Sequence, residues 1–274
     1  LKEISEYGFE KNLSEVLNFD VSKKIIQEYE KKRNFPSLNS TSKIGPFLRF
    51  GVISIRSLVK YVLKFENDTF LNELIWREFF MQILFHFPNS SKNSFKSKYD
   101  NIKWVNDEKM FEAWKNGKTG FPIVDAGMNE LNKTGFMHNR VRMITSSFLC
   151  KQLLIDWRWG EKYFALKLND YEMSSNVGNW QWASGSGVDA APYFRIFNPI
   201  LQGEKFDKEG LYVKRWVPEL EKVPAKFIHK PWEMEEKYQS AIKTIIGKDY
   251  PKPIVVHEEA RAAALNAFQS LKKN

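Results

Sequence analysis

The sequence predicts an all-α domain, and three observations point to it. Apolar residues recur at helical spacing along most of the 274 residues, whereas the alternation typical of strands never persists. Hydrophobic side chains make up 43% of the chain, which is enough for a substantial core. No internal repeat, low-complexity tract or linker divides the sequence. We therefore expect residues 1–274 to form one multi-helix domain.

Residues that favour helix starts and stops set the elements of the first half. We predict a first helix capped by Ser54 and a second, capped by Asp68 or Thr69, that runs towards Pro88. A third helix is predicted from Asn106 or Asp107 to Gly117, and a fourth from Pro122 to Gly135. The first of these helices places five apolar side chains on one face: Ile55, Leu58, Val59, Val62 and Leu63.

The second half predicts a longer helix and a segment of irregular backbone. No Pro or Gly interrupts the apolar spacing from Asn139 until Gly160, so we expect the longest helix there. Small or turn-forming residues surround two tryptophans between Asn176 and Gly187, which favours irregular backbone that lines a ligand. After Pro199 we expect a loop with glycines, a short helix over 211–216, and an Ala-rich terminal helix over 258–273.

The charge of the chain indicates a polyanionic partner. The formal net charge is +9 and the pI is about 9.3, so the surface attracts nucleic acid or an anionic membrane. Basic residues are enriched over 92–103 and 205–230, where a simple solvated face is the alternative. Cys150 has no partner for an intrachain disulfide, which favours a reducing, cytoplasmic compartment. No apolar run reaches the roughly 20 residues that a membrane helix needs.

Several familiar chemistries are excluded by the motifs that the chain lacks. Its four histidines form no close pair, and with one Cys they offer no metal-ligand spacing. No glycine-rich Walker or dinucleotide motif occurs, and no nucleophile elbow of a hydrolase is present. The chain begins at Leu1 rather than Met, so we expect an excised or truncated domain.

Four phrases of the sequence carry a resemblance to a known family. They are LNELIWREFF at 71–80, GKTGFPIVDAGM at 117–128, GFMHNRVRMI at 135–144 and WQWASGSGVDAAPYFRIFNP at 180–199. With them the chain resembles the FAD domain of the DNA photolyase and cryptochrome family, closest to class I cyclobutane pyrimidine dimer photolyases. The resemblance covers nearly the whole chain. It implies a helical domain that buries a U-shaped FAD in a cavity that also admits the substrate.

The resemblance also implies which residues hold FAD. The expected cofactor residues are Tyr29, Thr41, Ser42, Lys43, Ile44, Gly45, Phe70, Arg77, Arg142, Asp170, Tyr171, Glu172 and Asn176. Within this set the 41–45 segment surrounds the pyrophosphate, Arg142 pairs with Asp170, and Asn176 faces flavin N5. The chain departs from the family pattern at Lys43, Gly45 and Glu172, where relatives usually carry Arg, Ser and Asp. Without the resemblance, Thr41 and Ser42 would be read as a helix cap and Asn176 as a turn residue.

The resemblance further implies an electron path and a lesion pocket. Trp104, Trp157 and Trp180 match the tryptophans that return the flavin to its reduced state, although each alone would be read as a core residue, and Trp159 is an additional ring. The expected DNA-binding residues are Glu73, Trp76, Arg77, Asn139, Arg140, Met143, Trp182 and Arg195. Excited, reduced FAD would donate an electron to the dimer, with Glu73 and Asn176 as catalytic residues. The partner is then damaged DNA, and we expect a monomer.

Three alternatives remain open at this point. A signalling cryptochrome shares the fold and the tryptophans, although Trp76, Asn139, Met143 and Trp182 together favour dimer repair. A (6-4) photoproduct enzyme would place His at the lesion. A structural helical domain would hold no cofactor. The chain shows no α/β pattern of an antenna domain, so we expect no antenna chromophore site in it.

Overall fold

The computed structural model describes residues 3–8, 10 and 18–271, so that Leu1 and the end of the predicted terminal helix lie outside the described residues. Helices make up 60% of the molecule, and the described residues form no β-strand, which confirms the all-α prediction. The α-helices are α1 (Lys23–Lys32), α2 (Gly45–Arg49), α3 (Ile55–Val62), α4 (Asp68–His86), α5 (Glu108–Lys115), α6 (Pro122–Thr134), α7 (Asn139–Ser147), α8 (Trp157–Lys167), α9 (Met173–Ser184), α10 (Pro199–Phe206), α11 (Leu211–Trp216), α12 (Glu236–Ile242) and α13 (His257–Ser270). None of these helices is both long and apolar enough to cross a membrane.

Helices with local start and stop signals form where the sequence predicts them. Ser54 caps α3, and its side chain accepts a hydrogen bond from the backbone N–H of Ser57 at 3.5 Å. Pro122 begins α6, and Gly135 ends it in the left-handed region at φ 69°. Helix α11 spans the predicted residues. The predicted apolar face of α3 is too wide, because Leu63 is 64% exposed beyond the end of the helix.

The cap of α4 is Asn67, not the predicted Asp68 or Thr69. The Asn67 side chain accepts from the backbone N–H groups of Thr69 and Phe70, at 3.1 and 3.4 Å. Its Nδ2 also donates to the carbonyl oxygen of Ile26 in α1, at 2.6 Å. Asn67 therefore joins two helices, and this tertiary contact decides the start of α4.

The long helix predicted from Asn139 towards Gly160 is wrong. Helix α7 ends at Ser147, a π-helical turn covers Phe148–Gln152, and Leu154 adopts a left-handed φ of 47° before α8 begins. The Leu154 carbonyl oxygen accepts from the backbone N–H of Val105 at 2.7 Å. A contact with a distant segment thus stabilises a break that no Pro or Gly marks. The longest helix is α4, with 19 residues.

The irregular backbone predicted between Asn176 and Gly187 is also wrong, because α9 continues to Ser184. Gly178 lies inside this helix. A Cβ there would come closer than 3.0 Å to the ring of Phe80, so glycine permits α4 and α9 to approach. The helix ends where Gly185 adopts φ 86°. The predicted loop after Pro199 is instead α10, whose first turn is capped by Asn198.

Two apolar clusters form the core. The larger one is built around α6, α7, α8 and α9 and contains Phe148, Trp157 and Trp180. The smaller one joins α1, α3 and α4 through Ile26, Leu58 and other apolar side chains. Tyr29 packs against the smaller cluster, and residues of α7 and α9 belong to the larger one. The inner cavity described next is lined by the larger group of helices, and the outer cleft has walls from both groups.

Candidate functional site

Helices α7, α8 and α9 line an inner cavity, where the space between side chains, together with the part open to solvent, amounts to about 580 Å³. The candidate residues that line it are Asn139, Arg142, Met143, Asp170, Tyr171, Glu172, Asn176, Trp180 and Trp182. They come from two of the four motif segments, 135–144 and 180–199, from the 168–172 connection between α8 and α9, and from Asn176 in α9. The fold thus brings together side chains that are separated by more than forty positions in the sequence.

Asp170 carries an unused acceptor at the wall of the inner cavity. Its Oδ2 pairs with a terminal nitrogen of Arg142 at 2.9 Å, as expected, and the Nε of Arg142 donates to the Met137 carbonyl oxygen at 2.7 Å. The two side chains are 25% and 17% exposed, so the pair is not a solvated surface contact. Asp170 Oδ1 is buried and has no hydrogen-bond partner among the described residues. A buried carboxylate oxygen in this state fits a donor from a ligand.

Glu161 fixes the orientation of Asn176. The Asn176 Nδ2 donates to the carbonyl oxygen of Glu161 at 3.0 Å and to its Oε1 at 2.9 Å. Burial raises the pKa of Glu161, and the hydrogen bond from Asn176 opposes part of this rise. Because the amide nitrogen is occupied, Asn176 offers its carbonyl oxygen, an acceptor, to the cavity. Sequence reasoning did not identify Glu161, which lies on another helix.

The longer side chain of Glu172 serves as the N-cap of α9. It accepts from the backbone N–H groups of Ser174 and Ser175 at 3.1 and 2.9 Å, and also from the Ser174 hydroxyl. Burial raises the pKa of Glu172, but these hydrogen bonds outweigh it, so the pKa lies below its ordinary value. The carboxylate is therefore charged and already bonded where it meets the cavity.

The 41–45 segment passes beside Asp170. A Cβ on Gly45 would lie 3.0 Å from both Cβ and Oδ2 of Asp170, so a larger residue here would require Asp170 to shift by a few tenths of an ångström. Lys43 adopts a left-handed φ of 52°. Thr41 reaches the outer cleft described next, whereas the Lys43 side chain lines a separate cavity beside His138. Ser42 and Ile44 line neither the inner cavity nor the outer cleft.

An outer cleft with about 1150 Å³ of space adjoins the inner cavity. The candidate residues on its walls are Tyr29, Thr41, Glu73, Trp76, Arg77, Asn139, Arg140, Met143 and Trp182. Residues common to both spaces are Asn139, Met143, Ser175, Asn179 and Trp182. A molecule in the cleft would therefore be separated from a molecule in the cavity by no more than these shared side chains.

Glu73 pairs with Arg33, and the helical pair with Arg77 that its spacing permits does not form. Burial raises the pKa of Glu73, and the charge of Arg33 opposes this rise. Burial, assisted by the charge of Glu73, raises the pKa of Tyr29 to about 12. Sequence reasoning missed Arg33, because the pair joins residues forty positions apart that share no motif.

Asn34 is a second residue of the cleft that no motif identified. Its Oδ1 accepts from the Nε of Arg140 at 3.2 Å and from a terminal nitrogen at 2.7 Å. The Arg140 guanidinium also lies 4.4 Å from the centre of the Phe206 ring. These contacts hold the cation at the cleft wall.

Two tryptophans offer flat surfaces to the outer cleft. Trp76 is 43% exposed and stacks on Phe80 with ring centres 6.0 Å apart. Trp182 lies on α9 and packs edge-on against Phe197 at 6.4 Å. Such large exposed rings are typical of surfaces that bind a flat or wedge-shaped ligand.

The three candidate electron-transfer tryptophans differ in burial. Trp180 and Trp157 are 2% and 1% exposed, whereas Trp104 is half-buried and packs edge-on against Phe268. Among the described residues, the aromatic rings that contact Trp180 are Phe164 at 5.0 Å and Trp114 at 6.1 Å. Trp180 lies at the wall of the inner cavity, and Trp104 lies nearer the surface, so the electron path through the three rings stays a prediction. The tryptophan that contacts Trp180 is Trp114, at 6.1 Å between ring centres, and sequence reasoning did not identify it.

Besides residues 42–45, Trp104 and Trp157, the candidate residues Phe70 and Arg195 lie outside both spaces. Phe70 is 3% exposed in the smaller core cluster and packs edge-on against Tyr29 at 5.1 Å, because an apolar ring on the inner face of α4 is buried with its neighbours. It supports Tyr29 rather than a cavity wall. Arg195 is exposed in the loop that follows α9.

Comparisons with known proteins identify the family. The profile of the FAD binding domain of DNA photolyase matches residues 70–270. The deoxyribodipyrimidine photo-lyase of Agrobacterium fabrum is 49% identical over 255 residues, which are 90% of this chain and 53% of that protein. The Escherichia coli protein of the same name is 46% identical over 255 residues, with the same two shares. The chain thus spans about half the length of the curated relatives it matches.

Solved structures agree with the sequence comparison. A bacterial class III photolyase from Agrobacterium tumefaciens superposes with a TM-score of 0.88 at 48% identity, over 91% of this chain and 53% of that one. A cryptochrome from Synechocystis gives 0.82 at 38% identity, over 88% and 52%. The comparisons do not separate class I from the other photolyase classes. The chain belongs to the family of the FAD-binding domain of DNA photolyases.

Proposed function

We propose that this chain binds FAD in the inner cavity and uses light to repair cyclobutane pyrimidine dimers held in the outer cleft. The observation that carries the proposal is the shared wall of the two spaces, formed by Asn139, Met143, Ser175, Asn179 and Trp182. When bound, reduced and excited FAD supplies one electron to the dimer and takes it back after the ring has opened, with no net redox change. This chemistry needs cofactor and lesion in near contact.

The residues of the inner cavity fit such a cofactor. Asp170 Oδ1 is a buried acceptor that has no partner in the described part of the chain, and Asn176 offers a second acceptor from a fixed amide. The 41–45 segment does not line the inner cavity, but Gly45 lies against Asp170 of its wall, and the backbone of this segment would hold the pyrophosphate. Arg142 holds Asp170 in place through their ion pair. The protein groups thus orient the cofactor and set its hydrogen bonds.

The residues of the outer cleft fit an extruded dimer. Trp76 and Trp182 would pack against the faces of the saturated rings, while Glu73 and Asn139 bond the polar edges. A damaged pair stacks poorly in DNA, so extruding it costs less free energy than extruding intact bases, and this difference supports selectivity. Arg77, Arg140 and Arg195 would contact phosphates around the opening, which predicts affinity that falls with salt.

A blue-light receptor of the cryptochrome kind is the second candidate, because a cryptochrome shares this fold at a TM-score of 0.82. The outer cleft favours repair. It contains Trp76, Asn139, Met143 and Trp182 together, which are the side chains that dimer binding needs. We propose that the domain acts on DNA as a cytoplasmic monomer, and the single, fully buried Cys150 suits that reducing compartment.

The test compares two carboxylates of α4. Glu73→Gln removes the charge that faces the cleft, whereas Glu78→Gln alters an exposed residue that bonds only Gln82. We expect both variants to retain flavin, and we expect only Glu73→Gln to lose dimer affinity and repair. Repair is measured as dimer loss from an oligonucleotide under illumination. A reduced, flavin-bound wild-type protein that binds the dimer and never opens it would refute the proposal.

A further inference from the structure

Exposed lysines without acidic partners occupy the segment over residues 92–103. These lysines are Lys92, Lys96, Lys98 and Lys103, and among the described residues none of them pairs with a carboxylate. The one acidic residue of the segment, Asp100, instead pairs with Arg158 at 2.5 Å. The enrichment of basic residues found in the sequence is therefore an uncompensated positive surface, which the cavity and the cleft do not use.

A buried amide attaches this segment to α9. Gln181 is 2% exposed, and its Nε2 donates to the carbonyl oxygens of Ser90 and Asn93 at 2.7 and 3.0 Å. Its Oε1 accepts from the backbone N–H of Phe95 at 3.0 Å. Gln181 lies between Trp180 and Trp182 in the sequence. Two of these hydrogen bonds, with Asn93 and Phe95, fix the segment to the helix that supplies the shared wall of the cavity and the cleft, and the third fixes Ser90 just before it.

Further contacts fix the segment to the neighbouring loop and to α8. The backbone N–H of Lys96 donates to the Ser186 carbonyl oxygen at 3.0 Å, in the loop that continues to Asp189 on the wall of the outer cleft. Arg158 of α8 donates from its Nε to the Lys92 carbonyl oxygen at 2.6 Å. The lysine side chains are exposed, and hydrogen bonds hold the backbone that carries them against α8, α9 and the loop that follows α9.

The chemistry of the segment favours phosphates of nucleic acid over a lipid surface. Its apolar side chains, Phe95, Tyr99 and Ile102, are half-buried or buried, so they cannot insert into a membrane. Lysine is a point charge that binds phosphate without reading a base. A fixed row of such charges beside a lesion pocket suits the continuous backbone of a duplex.

We propose that the 92–103 segment contacts the backbone of the duplex that flanks the lesion, while the outer cleft holds the extruded dimer, and that Gln181 positions this segment. The inference rests on the proposed function. Each phosphate contact adds about 0.9 to the steepness with which log K falls with log salt. Three working lysines therefore add roughly 2 to 3 to that slope.

The test uses flavin-loaded protein and two dimer-containing probes, a long duplex and a short single strand without flanks. The variant is Lys92→Gln, Lys96→Gln and Lys98→Gln combined. Its matched control changes Lys222, Lys237 and Lys248 to Gln, which are exposed and line neither the cavity nor the cleft. We expect the variant to lose roughly 2 to 3 from the salt slope for the duplex and to bind the short strand as the wild type does. The control should keep both.

The outcomes separate the inference from the proposed function. If the wild type binds no dimer probe, the proposed function fails. If the wild type binds both probes and the variant keeps its duplex slope, or loses equal affinity for both probes, the flanking contact is wrong. Vesicles of phosphatidylserine serve as the lipid arm. Vesicle binding that falls in the variant while duplex binding stays would overturn the inference in favour of a membrane surface.

Discussion

Replacing Gly160 by Ala tests how α8 holds Trp180 beside the inner cavity. An added Cβ would lie closer than 3.0 Å to Cη2 and Cζ3 of Trp180 and 2.6 Å from Cδ2 of Leu149. Trp180 is 2% exposed, and the rings of Phe164 and Trp114 lie 5.0 and 6.1 Å from it, so it has little room to move. The methyl group must therefore displace a packed ring.

The size of the effect follows from two opposing contributions. Alanine is favoured over glycine inside a helix by roughly 1 kcal/mol. Overpacking of a well-packed core costs about 1–3 kcal/mol, and the enclosed ring puts this site near the upper end. We expect Gly160→Ala to lower the free energy of unfolding by about 1–2 kcal/mol, as the difference of these contributions.

The assay is a double-mutant cycle measured by urea denaturation. Trp180→Phe removes the atoms that the new methyl group would meet, so Gly160→Ala should cost at least about 1 kcal/mol less in that background. The single Trp180→Phe variant measures the free energy that is lost when the smaller ring leaves space in the core. Equal costs of Gly160→Ala in the two backgrounds would refute the packing of Trp180 against α8.

Two further predictions concern charged groups. Asp170→Asn should weaken FAD binding by about tenfold or more, because it removes the charge that Arg142 holds at the cavity wall. The ratio of flavin to protein absorbance measures the bound FAD, and Asp68→Asn, at an exposed position, is the control. An unchanged flavin content in Asp170→Asn would contradict the prediction. Burial lowers the pKa of Lys151 from 10.5 to about 7, so between these values the unfolded chain binds more protons and the free energy of unfolding should rise with pH. Lys151→Met should reduce the rise of the free energy of unfolding with pH. Urea unfolding measured near pH 7 and near pH 10.5 tests this. A variant with the pH dependence of the wild type would contradict the prediction.

Helices were predicted correctly where residues close in sequence determine where the helix begins and ends. Helices α3 and α6 were predicted from Ser54, Pro122 and Gly135, whose preferences act within one turn. The break after α7 and the continuous α9 were missed, because they depend on distant contacts. Val105 bonds the backbone at the break, and Phe80 packs on the glycine within α9.

The residues of the candidate site also differ in whether the sequence could identify them. Most of the candidate residues that the motif phrases and the resemblance identified line one cavity or one cleft. Arg33, Asn34, Glu161 and Gln181 were missed. Each of them bonds a candidate residue or a backbone group that lies 15 to 106 positions away in the sequence. Helix packing creates these contacts, and no local pattern encodes them.

The most direct test of the account is light-driven repair by this chain alone. The protein is loaded with FAD, reduced without oxygen and mixed with an oligonucleotide that carries one thymine dimer, and the recovered thymine is measured with and without light. The adjoining cavity and cleft predict recovery that needs both FAD and light. A protein that holds reduced FAD, binds the dimer and leaves it intact after illumination would contradict the central claim.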